Sequence, residues 1–322
     1  MTMTETPTDA PPTEHDRRQR LERAHSAADH LSRVNGEVEL RAAVLALLLP
    51  AGSRRAVRAW RLETKGLSSA PALLEHVASL PGAGRLPWLE TLVSRMRGQP
   101  LGARQRLLEA TRRVMAARGV VRPIDRLHWL AMRQRLGGES RADSRAAVAS
   151  DLSRLPESDV MAIAAFTAFL SRMVPVDAVE TTPNAVDTTP NAVDTTPDAA
   201  EAETEAETAT ETAIETDAPP PPGEAWYETV MTPWRARADV APCSPPDSDG
   251  LVHALQGLQA LAWMHRPVLV RKWFVAALQH SPHGRLGDGA ADALRLCSAL
   301  LDSPLPPELA RHYAAAEPET AR

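Results

Sequence analysis

The sequence predicts an all-α fold, and three observations carry the prediction. Hydrophobic residues make up 43% of the 322, but Phe, Trp and Tyr only 4%, so Leu and Ala must fill the core. These two are strong helix formers, while the residues that favour strands are scarce. Apolar positions recur at helical spacing in one segment after another, and proline or glycine separates the segments.

The elements follow in order. Helices are expected over residues 17–31 and 37–49, the second ended by Pro50-Ala51-Gly52. Residues 54–63 and 70–80 come next, and Pro81-Gly82-Ala83-Gly84 stops the latter. Residues 86–96 place Leu86, Leu89, Leu92, Val93 and Met96 on one face. Pro100 stands at a first-turn position for 101–117, where Leu107, Leu108, Val114 and Met115 share one side and Arg106, Arg112 and Arg113 lie opposite. Gly119 closes that helix, and Pro123 opens the next, with Leu127, Trp129, Leu130 and Leu136 inside. Residues 160–173 are apolar nearly all round, as befits a central helix. Three more helices, 251–263, 267–280 and 290–301, are closed by Pro304, Pro306 and Pro307.

Between the two groups the composition changes. A seven-residue unit occurs three times, VETTPNA (179–185), VDTTPNA (186–192) and VDTTPDA (193–199), followed by a Glu/Thr/Ala tract and Pro219 to Pro222. A proline in each unit removes a backbone donor, which excludes a coiled coil despite the period of seven. Residues 174–217 hold 12 acidic residues and no basic one, whereas 1–173 hold 27 basic and 18 acidic. Such a tract buries too little to offset its ordering entropy and reads as a self-repelling spacer. The expected organisation is therefore a disordered start (1–16), a helical domain (17–175), a disordered acidic and Pro-rich linker (176–250), a second helical unit (251–311) and a disordered tail (312–322).

The two helical groups echo each other. Pro100, Arg104, Leu107, Leu108 and Ala110 align with Pro267, Arg271, Phe274, Val275 and Ala277. After a two-residue slip, Gly119, Val121, Trp129 and Leu136 align with Gly284, Leu286, Leu294 and Leu301. The shared unit is helix, Pro, helix, Gly-x-apolar, helix. Its glycine would take a positive φ at the helix end, and the apolar residue two later would plug the turn.

This unit resembles the TerB-like helical fold, whose turn reads Asp-Gly-x-(Ile/Val). More specifically, the chain is similar to the cytoplasmic C-terminal region of bacterial HtpX/CAAX-endopeptidase-type membrane zinc metalloproteases. Three segments carry the likeness: ELRAAVLALLLP (39–50), the stretch from RLPWLETLVSRM to AMRQRL (85–136), and that from LQGLQALAWMHRP to DSPLPPEL (255–309). Together they span a little over a third of the residues. The resemblance implies paired TerB-like bundles and a protein partner, in its sharpest form a separately encoded membrane metalloprotease. It does not bring catalysis, because no H-E-x-x-H is present. Arg118 and His283 also replace the acidic residue of the turns, so hard oxygen ligands for a cation are missing there.

Other chemistry finds little footing. His280-x-x-His283 is the one suggestive histidine pair, but zinc wants three or four ligands, and a solvated helix-end pair is the expected reading. Neither lysine, Lys65 or Lys272, follows a glycine as a Walker A loop requires. Gly82-Ala83-Gly84 has Pro87 where a dinucleotide loop needs its third glycine, and so reads as a turn. No catalytic residue, cofactor or metal ligand is assigned, and an enzyme without a local motif remains an alternative. Cys243 and Cys297 make no disulfide framework, which points to a reducing cytoplasm. The longest uniformly apolar run, 42–49, would rise about 12 Å as a helix, short of the roughly 30 Å of a bilayer core.

One charged feature stands out. Residues 85–135 hold 12 arginines against Glu90, Glu109 and Asp125. Arg106, Arg112, Arg113, Arg118, Arg122 and Arg126 form the candidate face for a partner or anion. Nucleic-acid phosphates or anionic lipid could meet it, as could the acidic linker in the same chain, but no aromatic platform accompanies it. Nucleic acid is not the expected partner, and membrane contact is at most peripheral. The expectation is a non-catalytic helical interaction or regulatory module.

Overall fold

The chain's computed structural model describes residues 13–137, 151–174, 222–235 and 242–314. The three repeated units and the Glu/Thr/Ala tract lie outside the described residues, so the linker reading rests on sequence alone. The described part is all helical, as the composition predicts. The helices are α1 (Glu14–Arg33), α2 (Glu37–Leu47), α3 (Arg54–Glu63), α4 (Ala70–Ser79), α5 (Gly82–Arg97), α6 (Leu101–Ala116), α7 (Pro123–Leu136), α8 (Glu157–Leu170), α9 (Pro222–Met231), α10 (Ser248–Ala260), α11 (His265–His280), α12 (Asp288–Leu300) and α13 (Pro307–Tyr313). Two 3-10 turns, Leu152–Arg154 and Pro282–Gly284, join them.

Helix α2 is the hub of the first group. Its residues from Ala42 to Leu47 are all buried, and α3, α4, α5 and α6 pack around it. In the second group α8 lies against α10 and α9 against α11. The groups share one continuous core: α12 packs on α7 and α5, and α13 on α5. Side chains stitch this seam. Gln259 donates to Gln134 Oε1 at 2.9 Å and to the Leu300 carbonyl at 2.9 Å. Within the second group, Trp273 donates its indole N–H to Thr167 Oγ1 at 3.0 Å and stacks on Phe166 with centroids 5.8 Å apart.

Four expectations need correction. Residues 222–235 do not continue the linker: Trp226, Tyr227, Val230, Met231 and Trp234 are all buried. Four large apolar side chains on α9, with Trp234 just past its end, outweigh the cost of ordering a short helix. Pro222 fits because a first-turn proline loses no helical bond. The first helix starts at Glu14, not 17, because Thr13 and Asp16 form a reciprocal capping box. The C-terminal tail begins later than 312, since α13 ends on the fully buried Tyr313. Gly82-Ala83-Gly84 is no turn but the first turn of α5, entered from Pro81 in an extended conformation.

The repeated unit keeps its turn. Gly119 has φ 86° and Gly284 φ 63°, each a few residues past a 16-residue helix. The plug does not hold equally: Leu286 packs against the core, but Val121 is 42% exposed. Beyond the turn, α10 pairs with α8 instead of copying the place of α5.

Candidate functional site

The structure scatters the six candidate arginines among separate tasks. Arg106 pairs with Glu37 at 2.7 Å. Arg113 holds Glu63 through two bonds, Nε at 2.6 Å and Nη2 at 2.9 Å, which keeps the Glu63 carboxyl below its usual range. Arg112 lies over the Trp129 ring, 4.8 Å from its centroid. Arg118 leaves the face altogether. Its side chain is 6% exposed, pairs with Asp125 at 2.7 Å and reaches the Leu48 carbonyl at the end of α2. Arg122 pairs with the same Asp125 at 2.9 Å. Burial alone would raise the Asp125 carboxyl, but the Arg122 bond and the Arg118 charge outweigh it and hold it low. Arg126 stands half-buried on α7 beside this group.

Other arginines work as helix clamps. Arg85 donates to the carbonyls of Ala46, Leu47 and Leu49 at the end of α2, and Arg95 to those of Leu31, Ser32 and Val34 at the end of α1. Arg266, buried, does the same for Leu261 and Leu301. A guanidinium fork suits several carbonyls that a helix end leaves without partners, and its charge complements the dipole. The arginine excess therefore serves the fold in large part.

A polar knot ties α5, α7, α12 and α13 together. Glu90 accepts from Arg135 at 3.2 Å and from Arg295 Nε at 2.9 Å. Arg295 also lies over the Tyr313 ring at 4.5 Å, and Tyr313 donates its hydroxyl to Asp292 at 2.9 Å. Burial, with Asp288 and Glu90 nearby, pushes the Asp292 carboxyl up to about 7 against the opposing pull of Tyr313 and Arg295. The knot orients α13 on the bundle.

A groove runs along α11. Its cavity is about 560 Å³, within the range of small-molecule pockets. Val268, Arg271, Lys272, Val275, Ala276 and Gln279 of α11 form its floor. Asp151, Leu152 and Ser153 make one wall, and Thr229, Pro233 and Trp234, at the end of α9, the other. Trp234 is pinned there by its indole bond to the Leu152 carbonyl at 2.7 Å. Lys272 lies over the Trp234 ring at 5.8 Å, and burial lowers its pKa. Val268 is 53% and Val275 43% exposed. Sequence reasoning read 267–280 as a helix and Arg271 and Val275 as repeat positions, and it passed over the groove. The available signal was a second apolar line, Met264, Val268 and Val275, on a helix that already buries Leu269, Val270, Trp273 and Phe274.

The histidine pair does not converge. His280 Nε2 lies 2.8 Å from Thr229 Oγ1, and His283 is exposed with φ 55°. Among the described residues no group of three or more His, Cys, Asp or Glu side chains could hold a metal ion. None of the described helices is long and apolar enough to cross a membrane. Burial raises the Cys297 thiol well above its usual range, which leaves it a poor nucleophile. Comparison with known proteins finds no matching family model, no matching curated protein and no matching solved structure.

Proposed function

We propose that the chain is a non-catalytic helical interaction or regulatory module whose docking surface is the α11 groove. The observation that carries this reading is the groove itself, where the exposed Val268 and Val275 share the floor with two cations, Arg271 and Lys272. An exposed apolar line on a helix already buried on its other side is the pattern of an unfilled protein interface. The shifted carboxyls support the same reading, since Asp125 and Asp292 each have a role in holding helices together. Binding of nucleic acid through residues 85–135 has less support, because Arg106 and Arg113 each hold a carboxylate and Arg118 and Arg122 share a third, that of Asp125. The TerB-like resemblance gives the proposal its sharpest form, in which the partner is a separately encoded membrane zinc metalloprotease. The positive-φ glycines at both turns support the internal repeat behind that resemblance.

The test places a photo-crosslinking residue at Val275 and, as a control, at the exposed Gln105 of α6, in the full chain in cells. A discrete adduct at Val275, absent at Gln105 and lost in Val268→Asp, is the expected result. Mass spectrometry of the adduct then asks whether a metalloprotease is captured. Equal, diffuse labelling from both positions would refute the groove as the docking surface.

A further inference from the structure

The groove carries more information than its openness. On a 100° wheel Met264, Val268, Arg271, Lys272 and Val275 fall within an arc of about 100°, so apolar and cationic groups share one stripe. Val268 and Val275 are two turns apart, about 10.5 Å along the axis, which is the spacing of anchors i and i+7 on a facing helix. The charge is just as specific. Most arginines described above hold a carboxylate or a set of helix-end carbonyls, whereas neither Arg271 nor Lys272 has an acidic partner among the described residues. The acid of the groove wall, Asp151, is engaged locally, accepting from Ser153 N at 3.0 Å and Ser153 Oγ at 2.6 Å. Burial disfavours the charged form of Lys272, and a carboxylate brought alongside would restore it.

Resting on the interaction-module reading, we infer that the groove receives an acidic amphipathic helix of a partner protein. Apolar side chains at i and i+7 of that helix sit over Val268 and Val275. Carboxylates one turn to either side meet Arg271 and Lys272. The apolar contact supplies affinity, and the charge pair selects the sign of the ligand and its register.

The experiment uses the full chain and three fluorescently labelled 16-residue probes, followed by anisotropy. The first is an amphipathic peptide with leucines at i, i+4 and i+7 and glutamates flanking them. The second replaces the glutamates by lysines, and the third replaces the leucines by serines. The first should bind at least tenfold more tightly than either of the others. The double variant Arg271→Glu, Lys272→Glu should reverse the preference between the first two probes, and Val268→Asp should abolish binding of both. Circular dichroism checks that these surface variants keep their helix content. Equal binding of the acidic and basic probes would overturn the inference, as would binding that survives the charge reversal. It also falls if the first probe binds only after the 12 acidic residues of 174–217 are changed to their amides, because the chain's own tract is then the occupant. A discrete adduct at Val275 together with failure of the acidic probe would leave the interaction module standing and remove the acidic helix.

Discussion

Replacing Asp292 by Asn should make the protein more stable at high pH and leave it nearly unchanged at low pH. Asp292 sits on α12 with its carboxyl accepting the Tyr313 hydroxyl, and its pKa is raised from 3.8 to about 7, chiefly by burial. The folded state therefore binds a proton that the unfolded state has already released between those two values. Its contribution to stability is fully present below the unfolded pKa, is lost progressively as pH rises from about 4 to about 7, and stays lost above. A shift of that size corresponds to about 4 kcal/mol at full burial. The carboxyl is only partly buried, and allowance for solvent screening leaves about 2 kcal/mol. An Asn carbonyl still accepts the Tyr313 hydroxyl but carries no charge at any pH. Urea unfolding followed by circular dichroism at pH 4.5 and 8.5 measures the difference between Asp292→Asn and the natural chain. The pair must be compared, because His128, held neutral down to about 4 by burial, titrates with the opposite sign in both proteins and cancels only in their difference. The variant should gain about 2 kcal/mol over the natural chain on moving to pH 8.5. Parallel stability curves for the two proteins would refute the reasoning.

Three further outcomes are expected. Arg266→Met should cost about 3 kcal/mol by removing the charged bonds that Arg266 gives to the carbonyls of Leu261 and Leu301, and Arg266→Lys should recover little because an ammonium cannot span them; urea midpoints at constant slope measure both. Gly257→Ala should destabilise by about 1 kcal/mol in the same assay: the added methyl would lie 2.8 Å from Ala162 Cβ, and the clash exceeds the gain in helix propensity. Deleting residues 178–218 should move the melting temperature by no more than a few degrees in scanning calorimetry, and a larger fall would mean the tract is part of the core.

Much of this fold was legible because its helix ends are written locally. Helix α3 has the expected bounds, 54–63, and α7 opens at Pro123 as the sequence predicts. Helix α9 was hidden by its neighbours. Its apolar residues 226, 227, 230, 231 and 234 have helical spacing, but prolines on both sides and the acidic tract before them masked the pattern. The arginines show the opposite limit. Charge arithmetic registers Arg106 and Arg113 but not their partners, Glu37 and Glu63, which lie 69 and 50 residues away and meet them only through packing. The groove was illegible for the same reason, since its walls come from residues 151–153 and 229–234 and its floor from α11.

The point where the chain leaves the core and the point where it returns explain how a repetitive acidic stretch fits into a single bundle. Residues 175–221 run from the end of α8 to the start of α9, and these two helices pack on each other. The contact is close enough that a Cβ on Gly223 would collide with the Ser171 carbonyl oxygen. The stretch therefore departs from and returns to nearly the same place, and its length is not set by a distance to be spanned. Closing a flexible loop grows costlier only with the logarithm of its length, by about 0.6 kcal/mol for each doubling. Gaining or losing a copy of the seven-residue unit changes that cost by a small fraction of the protein's stability. The packing of α8 on α9 thus does not depend on the number of repeats between them.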